Sequence, residues 1–338
     1  MSKIHMVQKA NPQASDVYVK PLLTSVAYDY MTDPAMQSVA MQTLPFSRVG
    51  VDLQSSYYSK WNKDDILRAI AEARPEGGAF AGIGADLDNS NSYNAVVYGA
   101  EAVIPDNVRA NWVNQFPLDA SKTKLLARAA AARREQKLAD VCFATSGSWD
   151  TVVAGTSGSP TPGTSFKKWD LAGSTPIADI KYAKKTILES TGLLANTLIL
   201  PYAVWDTITE NGDVVDRLIY ANKGVVTEEL FAEACGVKRV IIGSFIRTTS
   251  NKGAASATRA NALGDKALLC YLPEAPGPGE MAAYQQFVWQ GLVGSADGMR
   301  IVQVRDERYR QDVIQIDDAF DIKITCADLG FLFNDCTG

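Results

Sequence analysis

A chain of 338 residues that is 46% apolar and 21% charged has the length of about two ordinary domains and enough apolar material for packed cores. No apolar run approaches the roughly 20 residues that cross a bilayer as a helix, and the opening MSKIHMVQKANPQ has neither an apolar centre nor a cleavage pattern, so a soluble, intracellular product without a secretory leader is expected. With 33 basic and 38 acidic residues, net −5, the chain lacks the overall field of a protein that grips nucleic acid through its phosphates.

Residues 1–51 mix short apolar pieces with Pro12, Pro21, Pro34 and Pro45 and show no long helical period. They read as an extended arm that needs an outside surface, with a helical turn or two beside Pro34. In residues 52–98, Tyr57, Tyr58 and Trp61 at one end and Tyr93, Val96, Val97 and Tyr98 at the other suit β-strands. Between them lie ILRAIAEARPEGG, a helical turn stopped by Pro75 and Gly77, and GGAFAGIGADLDNSNS, glycine-rich and then polar. Two strands joined by a long tip make a hairpin. An isolated two-stranded hairpin is marginal in water, so this one must lean on another surface.

Residues 118–145 are the clearest helix. Asp119 or Ser121 caps it, good helix formers fill it, and Leu125, Leu126, Ala129, Leu138, Val141 and Cys142 recur at near-helical spacing. At 1.5 Å per residue it is a rod about 36 Å long. Residues 145–175, rich in Gly, Ser, Thr and Pro, mark a boundary. From 176 to 247 helix and strand alternate. PIADIKYAKKTILESTG is bracketed by Pro176 and Gly192; NTLILP is a short buried strand; YAVWDTITENG is a helix stopped by Gly212; DVVDRLIYAN and TEELFAEACG are two more, the second capped by Thr227; KRVIIGSFIRT is a strand. Residues 248–265 read as a small, polar loop, KALLCYL as a strand and PEAPGPGEM as a turn-rich segment, and strands dominate from 284 to 333. No internal repeat is visible, which argues against a solenoid or propeller.

No catalytic set assembles. The single histidine, His5, lies in the arm, where Ser–His–Asp and Cys–His chemistry has no positioned imidazole. Gly82 and Gly84 begin a GxGxxG pattern, but Leu87 stands where the third glycine is due and no helix follows. Asp86, Asp88 and Ser90 begin like a calcium loop, but Asn91 and Val97 occupy the positions that need glycine and glutamate. Asp312, Asp317, Asp318 and Asp321 lie close together, yet neighbours on a strand point to opposite faces, so they read as turn and surface residues. Lys167–Lys168 and Arg133–Arg134 read as solvated faces or subunit ion pairs. Cys142, Cys235, Cys270, Cys326 and Cys336 are odd in number and contain no CxxC, which fits small core residues rather than disulfides or a zinc site.

The order of parts (arm, unsupported hairpin, long helix, α/β unit) resembles the major capsid proteins of tailed bacteriophages, the Hong Kong 97-type fold. The stretch that carries the resemblance is 169–247, with WDLAGSTPIADIKYAKKTILESTGLLANTLILPYAVWDTI followed by DVVDRLIYANKGVVTEELFAEACGVKRVIIGSFI. It implies an α+β chain with an N-terminal arm (1–51), an extended-loop hairpin (52–98), a peripheral domain (99–175 and 283–338) with spine helix 118–145, and an axial domain (176–282) whose loop 248–265 lies nearest a five- or six-fold axis. It further implies a structural coat protein, not an enzyme. Such a protein needs no cofactor and no membrane, and self-assembles as hexamers and pentamers into an icosahedral shell. The shell encloses packaged double-stranded DNA without sequence-specific binding. Portal protein and scaffolding or decoration proteins are the further partners implied, with assembly in the host cytoplasm and the virion as final location.

On this resemblance Tyr57, Tyr58, Trp61, Tyr93 and Tyr98 are expected to pack on a neighbouring subunit, and Lys60, Lys63, Asp64 and Asp65 to form salt bridges with it. Some relatives join a loop lysine to a neighbour's asparagine; no residue here is assigned that role. Two alternatives stand beside this reading: an encapsulin-like nanocompartment, and a soluble small-molecule-binding α/β protein or enzyme built on 176–282, which needs a pocket with convergent polar groups.

Overall fold

The computed structural model describes residues 20–33, 38–61, 87–111, 118–219, 226–248, 256, 259–292 and 298–338. Among these, one mixed sheet runs in the order Ser165–Lys167 (β6), Thr151–Thr156 (β5), Gly330–Asn334 (β15), Ala267–Cys270 (β11), Thr197–Pro201 (β7) and Arg239–Gly243 (β8). Every residue of β7 and β11 is buried, as expected for unbroken apolar runs covered on both faces. Helix Pro176–Thr191 turns Ile177, Ile180, Ala183 and Ile187 inward, a stripe at helical spacing, and ends where Gly192, at φ 72°, donates its N–H to the Leu188 carbonyl. Helix Glu228–Cys235 starts at Thr227, whose hydroxyl accepts from the Leu230 N–H.

Two expectations change here. Helix Tyr202–Glu210 stops at Asn211, not at Gly212, which instead opens the next helix, Gly212–Ile219. The Asn211 amide donates to the Trp169 carbonyl at 2.9 Å and the Ser174 hydroxyl at 2.8 Å, so a side chain fixes the corner that a glycine was expected to make. The stretch 145–175 is also more than a boundary: β5 and β6 lie within it and pair in parallel with β15 and with each other. Residues 151–167 and 330–334, grouped by sequence with the peripheral part, therefore belong to the same sheet as β7, β8 and β11. Phe166, Trp169, Phe331 and Phe333 interlock beneath them, with ring centroids 4.9–5.5 Å apart.

The second sheet contains Arg48–Val51 (β1), Val96–Pro105 (β4), Tyr284–Trp289 (β12), Met299–Asp306 (β13) and Gln311–Ile324 (β14). The long β14 pairs antiparallel with β4, β12 and β13, and β1 adds in parallel to β12. Helix Leu118–Cys142 lies over β4 and β14, and its buried stripe is Leu126, Ala127, Ala130, Ala131, Arg134, Glu135 and Leu138. Leu125, expected inside, is 61% exposed.

Charge inside this stripe is what displaced the sequence reading. Arg134 and Asp318 of β14 are 2% and 1% exposed and make two hydrogen bonds, from Nε at 2.7 Å and from Nη2 at 2.5 Å. The guanidinium also lies over the Phe320 ring, 4.8 Å from its centroid. Asp317 points to the other face, as the strand period requires, and pairs with Arg300 at 2.9 Å. Arg133 and Asp317 thus stay near solvent, whereas Arg134, Asp318 and Asp321 are interior, correcting their assignment to the surface. Asp312 joins an exposed network with Arg109 and Arg305 that also takes in Asp106 and Asp119.

Glu135, one residue along, is fully buried. Its Oε2 accepts from the Ser38 hydroxyl and the Ala40 N–H, both at 2.9 Å. Gln286 of β12 donates from the other side to the Ala40 carbonyl at 2.9 Å and the Ser47 hydroxyl at 3.0 Å. Helix Pro21–Thr32 packs on the long helix and β13. Residues 20–33 and 38–51 are therefore held by their own chain and are not a free arm; residues 1–19, with His5, lie outside the described residues.

Burial pushes the Glu135 carboxyl from 4.5 up to about 7, against the opposing pull of the Ala40, Ser38 and Val39 donors. The folded state then holds this proton more tightly than the unfolded chain, so stability is greatest below the unfolded value and falls as pH rises through the folded one. Glu135→Gln keeps an oxygen for Ser38 and Ala40 and cannot ionise. It is expected to exceed the parent at pH 8 by up to about 3 kcal/mol and to flatten its pH dependence. Urea denaturation at pH 5 and pH 8 checks this; the same slope in both proteins would refute the assignment.

Candidate assembly interface

Strand Ser55–Trp61 (β2) pairs antiparallel with Leu87–Asn94 (β3), from Ser55 opposite Asn94 to Trp61 opposite Leu87, with a register shift between Tyr58 and Lys60. The hairpin read from the aromatic clusters is present, and its root is moored to its own chain. Tyr93 is 5% exposed and stacks on Phe287 of β12, with centroids 4.7 Å apart and planes at 9°. Tyr58 tilts against the same ring at 5.1 Å. The Tyr93 hydroxyl donates to the Leu53 carbonyl at 3.2 Å, and the Asn94 N–H donates to Asp321 Oδ2 at 3.0 Å. Asp321 also lies 3.8 Å from Lys137 of the long helix, so one buried carboxylate links hairpin, sheet and helix.

The sequence-derived contact residues therefore divide. Tyr58 and Tyr93 pack on Phe287, and Tyr98 is half-buried against Phe320 at 5.1 Å, so these three rings are seated wholly or partly on their own chain. Alternation along β2 sends Tyr57 to the other face, where it is 72% exposed opposite the exposed Ser92. Lys60 is half-buried with its ammonium 5.9 Å from the Tyr58 centroid. Trp61 is placed by its backbone opposite Leu87. Lys63, Asp64 and Asp65 lie outside the described residues, as does most of the glycine-rich stretch. What sequence reasoning missed is the seat: Phe287 and Asp321 come from strands far along the chain, and no local pattern links them to Tyr93.

Tyr93 and Tyr57 should part company experimentally. Tyr93→Ala removes the stacked ring and is expected to free the root, seen as faster amide exchange across 55–61 and 87–94. Tyr57→Ser is expected to change subunit stability by no more than about 0.5 kcal/mol while reducing self-association. Equal exchange in Tyr93→Ala and parent would remove the mooring role.

The other sequence-derived sites resolve simply. Asp88 accepts from the Ser90 N–H and hydroxyl and from the Asn91 amide, and these bonds hold its carboxyl below the usual range. Among the described residues, no three or more His, Cys, Asp or Glu side chains converge as a metal site, and no helix is long and apolar enough to cross a membrane. The cysteines are free, with Cys142, Cys235, Cys270 and Cys336 buried. A cavity of about 260 Å³ beside Pro160 and Pro162 is walled by Phe166, Tyr182, Phe331 and Phe333. Its carboxylate, Asp179, is pushed by burial up to about 6 and accepts from the Trp169 indole at 3.1 Å; the Ser165 hydroxyl on the same wall accepts from the Thr161 N–H at 2.8 Å.

No protein-family model matches the chain. It is 22% identical over 320 residues to the major capsid protein of Burkholderia phage BcepMu, covering 95% of this chain and 97% of that one. Its architecture matches a phage-related protein of Bordetella bronchiseptica RB50 with a TM-score of 0.70 at 18% identity, over 95% and 98% of the two chains. The capsid structure of cyanophage P-SCSP1u matches at 0.53 and 12% identity, over 85% and 86%. A virus-like particle from Pyrococcus furiosus matches at 0.50 and 10% identity, over 92% and 97%.

Proposed function

We propose that this chain, whose fold is the Hong Kong 97-type capsid fold, is the major capsid protein of a bacteriophage. The observation that carries the reading is likeness from end to end: 95% of the chain aligns with 97% of a phage coat protein, leaving almost nothing over for a different task. The product is a structural protein rather than an enzyme, its partners are copies of itself, and its place is the virion.

The finer picture follows from the parts. The five-stranded sheet with the long helix is the peripheral part, and the six-stranded sheet is the axial part, with β5, β6 and β15 on the axial side. Copies group as hexamers and pentamers into an icosahedral shell. Tyr57, Lys60 and Trp61, with the sequence from Lys63 to Asp65, meet the next subunit. The shell encloses double-stranded DNA without base-specific contacts, and a net charge of −5 suits a wall that must not hold DNA tightly. Portal protein and scaffolding or decoration proteins are further partners, and assembly takes place in the host cytoplasm.

Electron microscopy of the expressed protein tests the reading. Closed shells are expected; a 36.5 kDa monomer under every assembly condition would count against it. Nuclease-protected DNA in particles from infected cells separates a phage coat from a shell that houses protein cargo.

A further inference from the structure

Opposite its buried stripe, the long helix turns a second stripe outward that includes Leu125, Arg128 and Arg133. Beside it stands a short hairpin, Ile246–Thr248 (β9) paired with Arg259–Asn261 (β10). Between them runs an open groove of about 550 Å³. Leu125 and Ile246 are each 61% exposed along it, and Arg128, Arg133 and Arg247 line it. None of the ion pairs among the described residues involves these arginines or Arg259. The Arg133 guanidinium lies 4.7 Å from the Tyr98 centroid and reaches Gln136 Oε1 at 3.5 Å, with no carboxylate paired to it among the described residues. The Nε of Arg247 is buried without a hydrogen-bond partner among the described residues.

We propose that this groove is a docking site for an acidic, amphipathic segment of a second protein. Carboxylates pair with the arginine forks, and apolar side chains cover Leu125 and Ile246. Charge complementarity selects an acidic partner. The two exposed aliphatic side chains select a peptide over a nucleic acid, whose phosphate backbone gains nothing from them. The site goes beyond the coat-protein reading, because the lining residues named all belong to one subunit.

The test uses the full chain, unassembled, and fluorescence anisotropy with three probes. The first is a four-turn synthetic peptide with glutamate and leucine on opposite helical faces; the second has serine for leucine; the third is a short DNA duplex. The first peptide is expected to bind, to bind less well as salt rises, and to lose at least about tenfold in affinity on Arg128→Glu/Arg133→Glu. The second is expected to bind at least about tenfold more weakly than the first. Both substituted positions are exposed, and an unchanged urea midpoint confirms that the double variant is folded. A lysine-for-glutamate peptide is then expected to regain binding to it. Absence of binding by the first peptide overturns the proposal. So does tighter binding of the duplex that displaces the peptide, which would make the groove a nucleic-acid face. Loss of self-association in the variant with no peptide binding would assign the groove to a second copy and overturn it too. Shells without peptide binding sink this inference alone; peptide binding without shells sinks the coat-protein reading alone.

Discussion

Arg134→Ala is expected to cost the subunit about 3–5 kcal/mol, the scale for removing one partner of a buried ion pair. The Asp318 carboxylate would be left 1% exposed with its two guanidinium hydrogen bonds gone and the Phe320 ring as a neighbour. Water cannot reach it without opening the contact between the long helix and β14, so desolvation is uncompensated. Asp318→Ala should cost a similar amount, since it strands the cation. Replacing both, as Arg134→Met with Asp318→Leu, is expected to recover most of the loss, because well-packed apolar residues of similar volume often match a buried pair. Urea denaturation of the two single variants and the double variant forms the cycle. Single-variant losses below about 1 kcal/mol would mean that this pair is not the tie between helix and sheet.

That pair also explains which parts of the molecule its sequence discloses. Elements with local chemistry are legible: Pro176 and Gly192 bracket a helix, Thr227 caps another, and the run TLILP is a covered strand. The long helix is legible as a helix but not in its orientation. Its inward face carries Ala127, Ala130 and Ala131 with Arg134 and Glu135, so the apolar period takes in the exposed Leu125 along with the buried Leu126. Charged residues are read as solvent-facing unless their partner is known, and the partners, Asp318 and the Ser38–Ala40 segment, lie far away in the chain. The same blindness affects the hairpin. Its aromatic residues advertise burial, but not whether the receiving surface belongs to the same chain. Tyr93 found Phe287 at home, while Tyr57, one residue before Tyr58 on the strand, did not. The strands β5 and β6 escaped notice because short parallel neighbours in a Gly/Ser-rich stretch leave no period to read.

Replacing residues 62–86 by Asn-Gly is expected to leave a folded subunit that forms no closed shell. Trp61 and Leu87 stand opposite each other in the ladder, so a two-residue turn of this type can join them without disturbing the register. The root contacts (Tyr93 on Phe287, Asn94 to Asp321) remain, and the core of both sheets is untouched. The urea midpoint should therefore match the parent. Removed are twenty-five residues that include Lys63, Asp64, Asp65 and the mostly apolar ILRAIA. An exposed ion pair contributes only about 0–1 kcal/mol, so most of the lost association is assigned to apolar area, repeated at every subunit contact of the shell. Electron microscopy and sedimentation read the outcome directly. Normal particles from the shortened chain would show that the hairpin beyond its root is dispensable for closing the shell, and that self-association rests on the compact body alone. A shortened chain that neither folds nor assembles would instead place the missing segment within the subunit's own core.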